Sequence, residues 1–309
     1  MILAVCLNPA IQRTLNFQDL QLNRVNRAKS AVLSTGGKGV NVARVAMTSG
    51  ADVKLLTLAG GPNGRELRRL LKGEGIPFHA VPVRGNTRIC TTLLDRKNGI
   101  QTELVEESEP VTGGETGRVQ RAFETLLRGS RLLVLSGTAP KGFASSVYRR
   151  WIEAANRIGI PTILDAPGKL AEQGLTSRPW LFKPNWGEME AILGRPVRSD
   201  EEAKKALEIF HQNGAQNVMV TADVPVALAL ADGGFFRLIS PDLAVVNPIG
   251  SGDSIAAGIA AAFLRKKSLP EALRFGMACG SANVLTPLAG TVRKRDVRTL
   301  LKAVKIEPF

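Results

Sequence analysis

Short apolar runs alternate with amphipathic helical segments along most of the 309-residue chain, and this alternation constrains the fold more than any other feature. The apolar runs have the length and composition of buried strands: LAVCL, VKLLTLAG, LLVLSG, TILDAP, LFKPN and NVMVTA. The helical segments carry apolar residues every three to four positions and close on Gly: GRELRRLLKGEG, VYRRWIEAANRIG and SDEEAKKALEIFHQNG. This order is typical of a mostly parallel α/β sheet with helices on both faces.

Two stretches break the alternation. Residues about 11–34 and about 86–106 alternate apolar and polar positions, and the Asn98-Gly99 pair in the second is a strong hairpin signal. We interpret both stretches as a small antiparallel sheet, inserted twice into the α/β body and projecting from its carboxyl edge as a lid. Because no linker rich in Pro, Gly or Ser divides the chain, we predict a single domain over residues 1–309.

Composition excludes several classes of protein. Hydrophobic residues make up 44% and charged residues 22%, which excludes disordered and collagen-like chains, and no apolar run is long enough to span a bilayer. The three cysteines, Cys6, Cys90 and Cys279, are far apart, so we expect neither a disulfide framework nor a zinc site, and we expect a reducing, cytoplasmic setting. His79 and His211 have no second ligand at zinc spacing.

The net charge of +14, from 41 Lys and Arg against 27 acids, raises the question of polyanionic partners. Nucleic acid, an anionic membrane, a phosphorylated small molecule and a merely solvated basic surface all fit the total. The most basic stretch, residues 293–305, has no aromatic residues interleaved for base stacking, so a solvated helix face is favoured there. We therefore expect neither a nucleic acid nor a membrane partner.

The segment NPIGSGDS, residues 247–254, runs directly into an apolar helical stretch. Gly250 and Gly252 allow a tight turn, and the first amides of the helix lack intrahelical acceptors, so they form a site for an anion such as phosphate. Asp253 fits two roles at this position. It is either a base that takes a proton from an attacking hydroxyl group, or an ordinary helix N-cap.

The segment TGGKGVNVAR, residues 35–44, is a second glycine-rich turn that enters a helix. It lacks the spacing of a P-loop and of a dinucleotide-binding turn. Lys38 and Asn41 near the first helical turn suit an anionic ligand that carries hydroxyl groups. A solvated Lys38 fits the spacing equally well.

These two segments, GGKGVNVARVAMTSGADVKLLTLAG and NPIGSGDSIAAGIA, resemble the two signatures of the PfkB branch of the ribokinase-like sugar kinases. Shorter landmarks occur in the family's order: LNPAIQRTL, VNRA, NTR, SGTAPKG and KPNWGE. The resemblance covers essentially the whole chain. It implies an α/β ribokinase-like three-layer sandwich with a mainly parallel central sheet and a small β-sheet lid, and in detail it is closest to the 1-phosphofructokinase and tagatose-6-phosphate kinase branch.

The resemblance also implies roles for single residues. Asp253 matches the catalytic base, with Gly250, Ser251 and Gly252 as the anion hole. The substrate-binding positions that match are Gln12, Arg27, Gly37, Lys38, Asn41 and Arg88, of which Lys38, Arg88 and Arg27 would contact a phosphate already on the sugar. The nucleotide-binding positions that match are Lys183, Asn185, Thr221 and Asn283, and Glu188 would contact Mg²⁺ through water.

Three positions depart from the family pattern. Gln12 replaces the usual acid, and an amide donates as well as accepts, which changes the preferred hydroxyl pattern. In the loop over residues 221–228, where relatives have glycines, Val224, Pro225 and Val226 are expected to stiffen and crowd the backbone. Pro167 stands where relatives have Ser.

The resemblance therefore implies an ATP- and Mg²⁺-dependent kinase that phosphorylates a hydroxyl group of a ketohexose phosphate to give a bisphosphate. Two alternatives stay open: a kinase of an unphosphorylated sugar or nucleoside, and a catalytically weakened protein that binds sugar phosphate. Lids in this family often pair across a homodimer, so a homodimer through the lid is also implied.

Overall fold

A computed structural model describes residues 1–222 and 225–309, and its main element is a ten-stranded sheet. From one edge to the other the strands are β5 (Phe78–Val83), β4 (Val53–Gly60), β1 (Ile2–Cys6), β8 (Leu132–Ser136), β9 (Thr162–Asp165), β10 (Leu181–Phe182), β11 (Asn217–Thr221), β12 (Val226–Ala231), β13 (Gly234–Ile239) and β14 (Lys305–Pro308). Neighbouring strands are parallel from β5 to β11 and antiparallel from β11 to β14. The predicted apolar runs all form strands of this sheet.

Helices cover both faces of the sheet, because the parallel strands are apolar on both sides. The helices are α1 (Lys38–Thr48), α2 (Gly61–Gly73), α3 (Gly113–Leu127), α4 (Val147–Arg157), α5 (Gly168–Leu175), α6 (Trp186–Leu193), α7 (Asp200–Gln212), α8 (Ser251–Leu264), α9 (Leu269–Asn283) and α10 (Lys294–Ala303). In β1, Ile2 and Ala4 belong to the core with α1, α2, α8, α9 and α10, whereas Leu3 and Val5 belong to the core with α3 to α7. The predicted three-layer arrangement is confirmed.

A second, four-stranded sheet, here called the small sheet, has the order β3 (Ser30–Gly36), β2 (Ala10–Phe17), β6 (Arg88–Asp95) and β7 (Ile100–Val105). The prediction of a fully antiparallel sheet is wrong at its centre, where β2 and β6 pair in parallel. The reason is topological. β2 follows β1 and β6 follows β5, and both strands leave the same carboxyl edge of the parallel sheet in the same direction.

The turn at the tip of the small sheet is built on Asp95. Its carboxylate accepts hydrogen bonds from the backbone amides of Lys97 and Asn98 and from the Asn98 side chain at 2.8 Å. Gly99 adopts φ +62°, which glycine tolerates without the steric cost of a Cβ. The Asn98-Gly99 hairpin predicted from the sequence is therefore confirmed.

Within the described residues, the model contains no helix with both the length and the hydropathy required to cross a membrane.

Candidate active site

A cleft of about 1370 Å³ lies between the carboxyl edge of the large sheet and the small sheet. On one side it is lined by residues at the ends of parallel strands, among them Ser136, Asp165 and Lys183. On the other side it is lined by Gln12 of β2 and Cys90 of β6. In α/β proteins ligands bind outside the carboxyl ends of the strands, so the topology makes this cleft the candidate site.

The floor of the cleft is the N-terminus of α8. Gly250 is the N-cap residue with φ +84°, and a Cβ at this position would come within 2.4 Å of the Gly290 nitrogen, so only glycine fits. Gly250, Ser251 and Gly252 all line the cleft. The positive end of the helix dipole therefore faces the cavity, and among the described residues the amides of Gly252 and Asp253 have no backbone acceptor, whereas the Ser251 amide donates to the Pro248 carbonyl at 3.1 Å.

Asp253 is not the N-cap residue of α8, which excludes one of the two roles that its spacing allows. The cap position belongs to Gly250, and no side chain caps the helix. Asp253 lies in the first turn, is 5% exposed, and accepts a 2.8 Å hydrogen bond from Nδ2 of Asn41. The structure therefore leaves its carboxylate free for chemistry in the cleft.

Burial raises the pKa of Asp253 from 3.8 to about 6, because desolvation outweighs the opposing effects of Lys38, Asn41 and Lys183, and the charge of Asp165 adds to the increase. A carboxylate with a pKa near 6 can accept a proton close to neutral pH. This matches the requirement for a general base.

Next to Asp253, four charged side chains form an ion cluster: Lys38, Asp165, Lys183 and Glu188. Asp165 and Lys183 are buried, whereas Lys38 and Glu188 are partly exposed. Lys38 Nζ lies 3.1 Å from Asp165 Oδ1 and 3.6 Å from Glu188 Oε1, and Lys183 Nζ lies 3.1 Å from Asp165 Oδ2. Burial works against the charged form of Asp165, but Lys183 and Lys38 outweigh it and hold its pKa below the ordinary value. The structure thus excludes a simply solvated Lys38.

Sequence reasoning missed Asp165 as a site residue. Its segment, TILDAP, was interpreted as a buried strand, and Pro167 was the residue singled out there. Pro167 also lines the cleft and is the N-cap residue of α5. A usable signal was present: an acid ends the buried run TILD, and β9 pairs with β10, which leads into Lys183. Carboxyl ends of neighbouring parallel strands lie side by side, so this acid and this lysine had to be close.

Gln12 and Arg88 are the predicted substrate-binding residues on the small-sheet side. Gln12 is 6% exposed, and its Nε2 donates to Thr92 Oγ1 at 2.8 Å. Arg88 donates to the backbone carbonyls of Glu106 and Asn8 at 3.1 and 3.2 Å. Both Gln12 and Arg88 line the cleft together with Gly37, Lys38 and Asn41.

Arg27 does not join this group. It is exposed on the segment between β2 and β3, and it is not among the residues that line the cleft. Within one chain, the structure therefore does not bring Arg27 to Arg88.

The KPN segment leads into α6. Asn185 is its N-cap residue, and a reciprocal capping box joins Asn185 Oδ1 to the Glu188 amide at 2.8 Å and Glu188 Oε2 to the Asn185 amide at 2.9 Å. Lys183, Asn185 and Glu188 all line the cleft. The capping box fixes the Glu188 carboxylate and leaves Oε1 directed to Lys38.

A smaller cavity of about 50 Å³ adjoins the start of α8. Thr221 and Val226 line this cavity, and Val226 is one of the residues predicted to crowd the loop over residues 221–228. Ser251 and Gly252 line both this cavity and the main cleft. Val224 lies outside the described residues.

The predicted nucleotide-binding role of Asn283 requires a correction, because Asn283 lines neither cavity. It is 0% exposed, its Nδ2 donates to the Ile249 carbonyl at 3.0 Å, and its Oδ1 accepts from the Thr291 amide at 3.1 Å. Both ends of the amide are engaged within the protein, so Asn283 supports the turn before α8 rather than presenting a polar group to a ligand.

Comparison with known proteins agrees with this geometry. The model of the pfkB family of carbohydrate kinases matches residues 2–295. Phosphofructokinase-2 from Escherichia coli, in a tetrameric inhibited form, has a TM-score of 0.89 and 26% identity, with 98% of each chain covered. Another structure of that enzyme is a complex with fructose-6-phosphate, with a TM-score of 0.88, 25% identity and 98% of each chain covered.

Two structures with lower sequence identity share the fold. A protein described as a possible 1-phosphofructokinase from Thermotoga maritima has a TM-score of 0.92 and 23% identity, covering 100% of this chain and 99% of the other. Ribokinase from Arabidopsis thaliana, complexed with ribose and ATP, has a TM-score of 0.77 and 20% identity, covering 97% and 98%. The predicted ribokinase-like fold is confirmed. Since the family model spans nearly the whole chain, this protein belongs to the pfkB family of carbohydrate kinases, phosphotransferases whose acceptor is a hydroxyl group.

Proposed function

We propose that this sugar kinase transfers the γ-phosphoryl group of ATP to a hydroxyl group of a ketohexose phosphate and releases a bisphosphate. The acceptors that we expect are fructose 1-phosphate, fructose 6-phosphate and tagatose 6-phosphate. One observation carries the proposal: Asp253 is a buried carboxylate in the first turn of a helix whose free amides line the same cleft.

In the proposed reaction, Asp253 takes the proton of the acceptor hydroxyl group while that oxygen bonds to the γ-phosphorus. The bond between this phosphorus and the oxygen that bridges to the β-phosphate breaks, and ADP leaves with the electron pair. The amides of Gly250 and Gly252 donate hydrogen bonds to the charge that develops on the transferred group, since the Ser251 amide is already bonded to the Pro248 carbonyl. The second N–H of Asn41 Nδ2 is the proposed contact to the acceptor's hydroxyl groups, because the first donates to Asp253 and Oδ1 accepts from Arg44.

Arg88 is the proposed contact to the phosphate already on the acceptor. Lys38 and Lys183 also line the cleft, but both are paired with Asp165. Among the lining cations of the described chain, Arg88 and Lys141 have no carboxylate partner. A cation without a counter-ion inside the protein is suited to an anionic substrate, because binding leaves no buried carboxylate unpaired.

The nucleotide is proposed to contact Lys183, Asn185 and Thr221, with Mg²⁺ bound to its phosphates. No group of three or more His, Cys, Asp and Glu residues within 1–222 and 225–309 is placed to hold a metal by itself. Glu188 fits an ion that arrives with ATP and keeps its water, because one oxygen caps α6 and the other, 3.6 Å from Lys38 Nζ, accepts no hydrogen bond within the described chain. When bound, Mg²⁺ offsets the charge of the phosphates.

The substitution Arg88→Ala tests the acceptor class. We expect kcat/KM for the three phosphorylated ketohexoses to fall by about tenfold to hundredfold, the cost of a lost charge-assisted contact, while kcat/KM for free fructose and tagatose stays nearly constant. Arg13→Ala is the matched control, because Arg13 is an exposed arginine beside Gln12 on the opposite face of β2.

Two results would contradict the proposal. Equal losses for phosphorylated and free sugars would favour a kinase of unphosphorylated acceptors. Binding of fructose 6-phosphate without turnover of any acceptor would favour a weakened, sugar-phosphate-binding protein.

We also propose that residues 1–309 act as one kinase domain with the small sheet as its lid, and that the lid pairs with a second copy of the chain. Exposed apolar side chains on or beside the small sheet support this pairing, among them Ile100 and Leu104, which share one face of β7 and are 57% and 54% exposed. The three cysteines are buried free thiols, which supports a reducing, cytoplasmic setting.

A further inference from the structure

Arg44, one turn after Asn41 on α1, lies at the centre of a hydrogen-bond cluster behind the cleft. Its side chain is 11% exposed, and it does not line the cleft. Nη1 donates to Asn41 Oδ1 at 2.9 Å, and Nε donates to Glu74 Oε2 at 2.8 Å. Neither Arg44 nor Glu74 was singled out by sequence reasoning.

The guanidinium group is held on every side. Nη2 donates to Thr35 Oγ1 at 2.7 Å, and Nη1 also donates to the Ala289 carbonyl at 3.1 Å. Glu74 itself accepts from the Thr35 amide at 3.0 Å and from the Thr35 hydroxyl at 2.9 Å. Because the partners come from β3, from the residue after α2 and from the loop before α10, the position of Arg44 is fixed by three separate parts of the chain.

This arrangement determines which end of the Asn41 amide faces Asp253. The two ends of an amide have nearly the same shape, but arginine has only donors, so the oxygen must face Arg44. Nδ2 is then directed to Asp253 Oδ2, at 2.8 Å. Gly290 packs against the other side of Asn41, and a Cβ there would come within 2.3 Å of the Asn41 Cβ, so the side chain has little room to move aside.

We propose that Arg44, held in place by Glu74, is a positioning residue that orients the Asn41 amide so that it donates to Asp253. Arg44 acts through Asn41 and contacts neither the acceptor nor the nucleotide. The inference rests on the proposed function in so far as Asp253 is the catalytic base.

Loss of Arg44 removes the constraint on the amide. Asn41 can then turn its oxygen to Asp253, where it accepts a hydrogen bond from the protonated carboxyl group and favours that form. Within the described chain, the charged groups that face Asp253 are Lys38 from α1, Asp165 from β9 and Lys183 after β10, and all three remain in the variant. The midpoint of the Asp253 titration is therefore expected to rise above its value of about 6.

A purely structural role for Arg44 predicts a different result. In that case Arg44→Lys, which keeps the positive charge, lowers the stability of the fold, because Glu74 and three backbone carbonyls lose hydrogen bonds from the guanidinium group, but the Asp253 titration is unchanged. Thr35→Val is the matched control. It removes the hydroxyl group that bonds to both Arg44 and Glu74 and leaves the bond between Arg44 and Asn41 in place.

The test is a pH titration of the Asn41 side-chain amide by nuclear magnetic resonance, with the full-length protein and no substrate. We expect a midpoint near pH 6 in the wild type and in Thr35→Val, and a midpoint higher by about one pH unit in Arg44→Met. Arg44→Lys is measured beside Arg44→Met, because it keeps the positive charge, whose loss alone would also raise the pKa of Asp253. One ammonium group cannot contact Glu74, Thr35 and Asn41 together, so the midpoint of Arg44→Lys must also rise. An unchanged midpoint in a folded Arg44 variant would overturn the inference.

This titration is separate from the test of the proposed function. If the midpoint rises but Asp253→Asn retains turnover, the positioning role holds and the assignment of the base fails. If Asp253→Asn abolishes turnover but the midpoint does not move, the base holds and the role of Arg44 is overturned.

Discussion

The two sides of the cleft differ in how their polar groups are satisfied. On the large-sheet side, Asp253 and Asp165 are 5% and 1% exposed and are bonded to Asn41, Lys38 and Lys183. On the small-sheet side, Arg88 bonds only to backbone carbonyls, its Nε has no partner within the described chain, and all of β7 is exposed. Asp165 on the large-sheet side is paired with two ammonium groups of the same chain, although the buried Ser136 Oγ has no hydrogen-bond partner among the described residues, whereas Arg88 on the small-sheet side has no carboxylate partner there.

The two sides of the cleft therefore suit different tasks. The large-sheet side is preorganised for phosphoryl transfer, which requires fixed donors and a fixed base. The small-sheet side retains unsatisfied groups for an acceptor and unpaired apolar surface for a second chain.

Within the large-sheet side, the two buried carboxylates have opposite pKa shifts for a clear reason. Asp165 has an ammonium group 3.1 Å from each oxygen, and together they hold its pKa low despite burial. Asp253 is hydrogen-bonded to a neutral amide, so burial dominates and its pKa rises. Asp165 therefore stays charged, while Asp253 can exchange a proton.

The largest effect is expected for Asp253→Asn, which removes the base and changes little else on the large-sheet side. We expect kcat to fall by about 10²- to 10⁴-fold, with the dissociation constant of ATP nearly unchanged. Steady-state kinetics and calorimetric titration of ATP measure the two quantities. Asp242→Asn, at an exposed aspartate, is the control, and near-normal turnover of Asp253→Asn would show that the base is elsewhere.

The substitution Leu104→Lys tests whether the exposed face of β7 is completed by a second chain. A charge buried in an apolar contact costs several kcal/mol, so the dissociation constant of the dimer is expected to rise by about a hundredfold. Sedimentation over a range of protein concentrations measures this constant. Lys302→Leu on α10 is a control far along the chain from the small sheet, and a wild-type protein that stays monomeric at every concentration would contradict the pairing.

A smaller effect is expected from pH, because Asp253, the proposed base, must be ionised to accept a proton. Since its pKa in the free protein is raised to about 6, kcat/KM falls as pH decreases through that value and is about tenfold lower at pH 5 than on the plateau. The sign for stability is opposite. Between the ordinary pKa of 3.8 and about 6 the folded state binds this proton more tightly than the unfolded state, so the group favours folding at the acidic end of this window.

The measurement is kcat/KM for the acceptor between pH 5 and pH 8. A flat profile over this range would contradict the titration of an essential base near pH 6.

The smallest effect is expected for Gln12→Glu, which restores an acid on the small-sheet side. The Gln12 amide donates to Thr92, and a carboxylate can only accept, so the preferred acceptor hydroxyl pattern changes while the chemistry does not. We expect the ratio of kcat/KM between tagatose 6-phosphate and fructose 6-phosphate to change by about threefold, with kcat nearly constant. Arg13→Gln, on the opposite face of the same strand, should leave the ratio unchanged.

The fold was predictable from the sequence because its strands are local apolar runs. The parallel pairing of β2 with β6 was not, since it depends on where both strands leave the large sheet. Spacing also could not exclude an N-cap role for Asp253, because the cap position depends on the backbone turn at Gly250, which packs against the distant Gly290. Arg44 and Glu74 were missed for the same reason, since no local pattern indicates that they form an ion pair.

The most direct test of the central claim is ADP release by the wild-type enzyme with Mg²⁺, ATP and a panel of acceptors: fructose 1-phosphate, fructose 6-phosphate, tagatose 6-phosphate, fructose and tagatose. We predict that at least one phosphorylated ketohexose has a kcat/KM about a hundredfold or more above those of the free sugars, because Arg88 contributes only when a phosphate is present. A free sugar that is phosphorylated as efficiently as the best sugar phosphate would contradict the account.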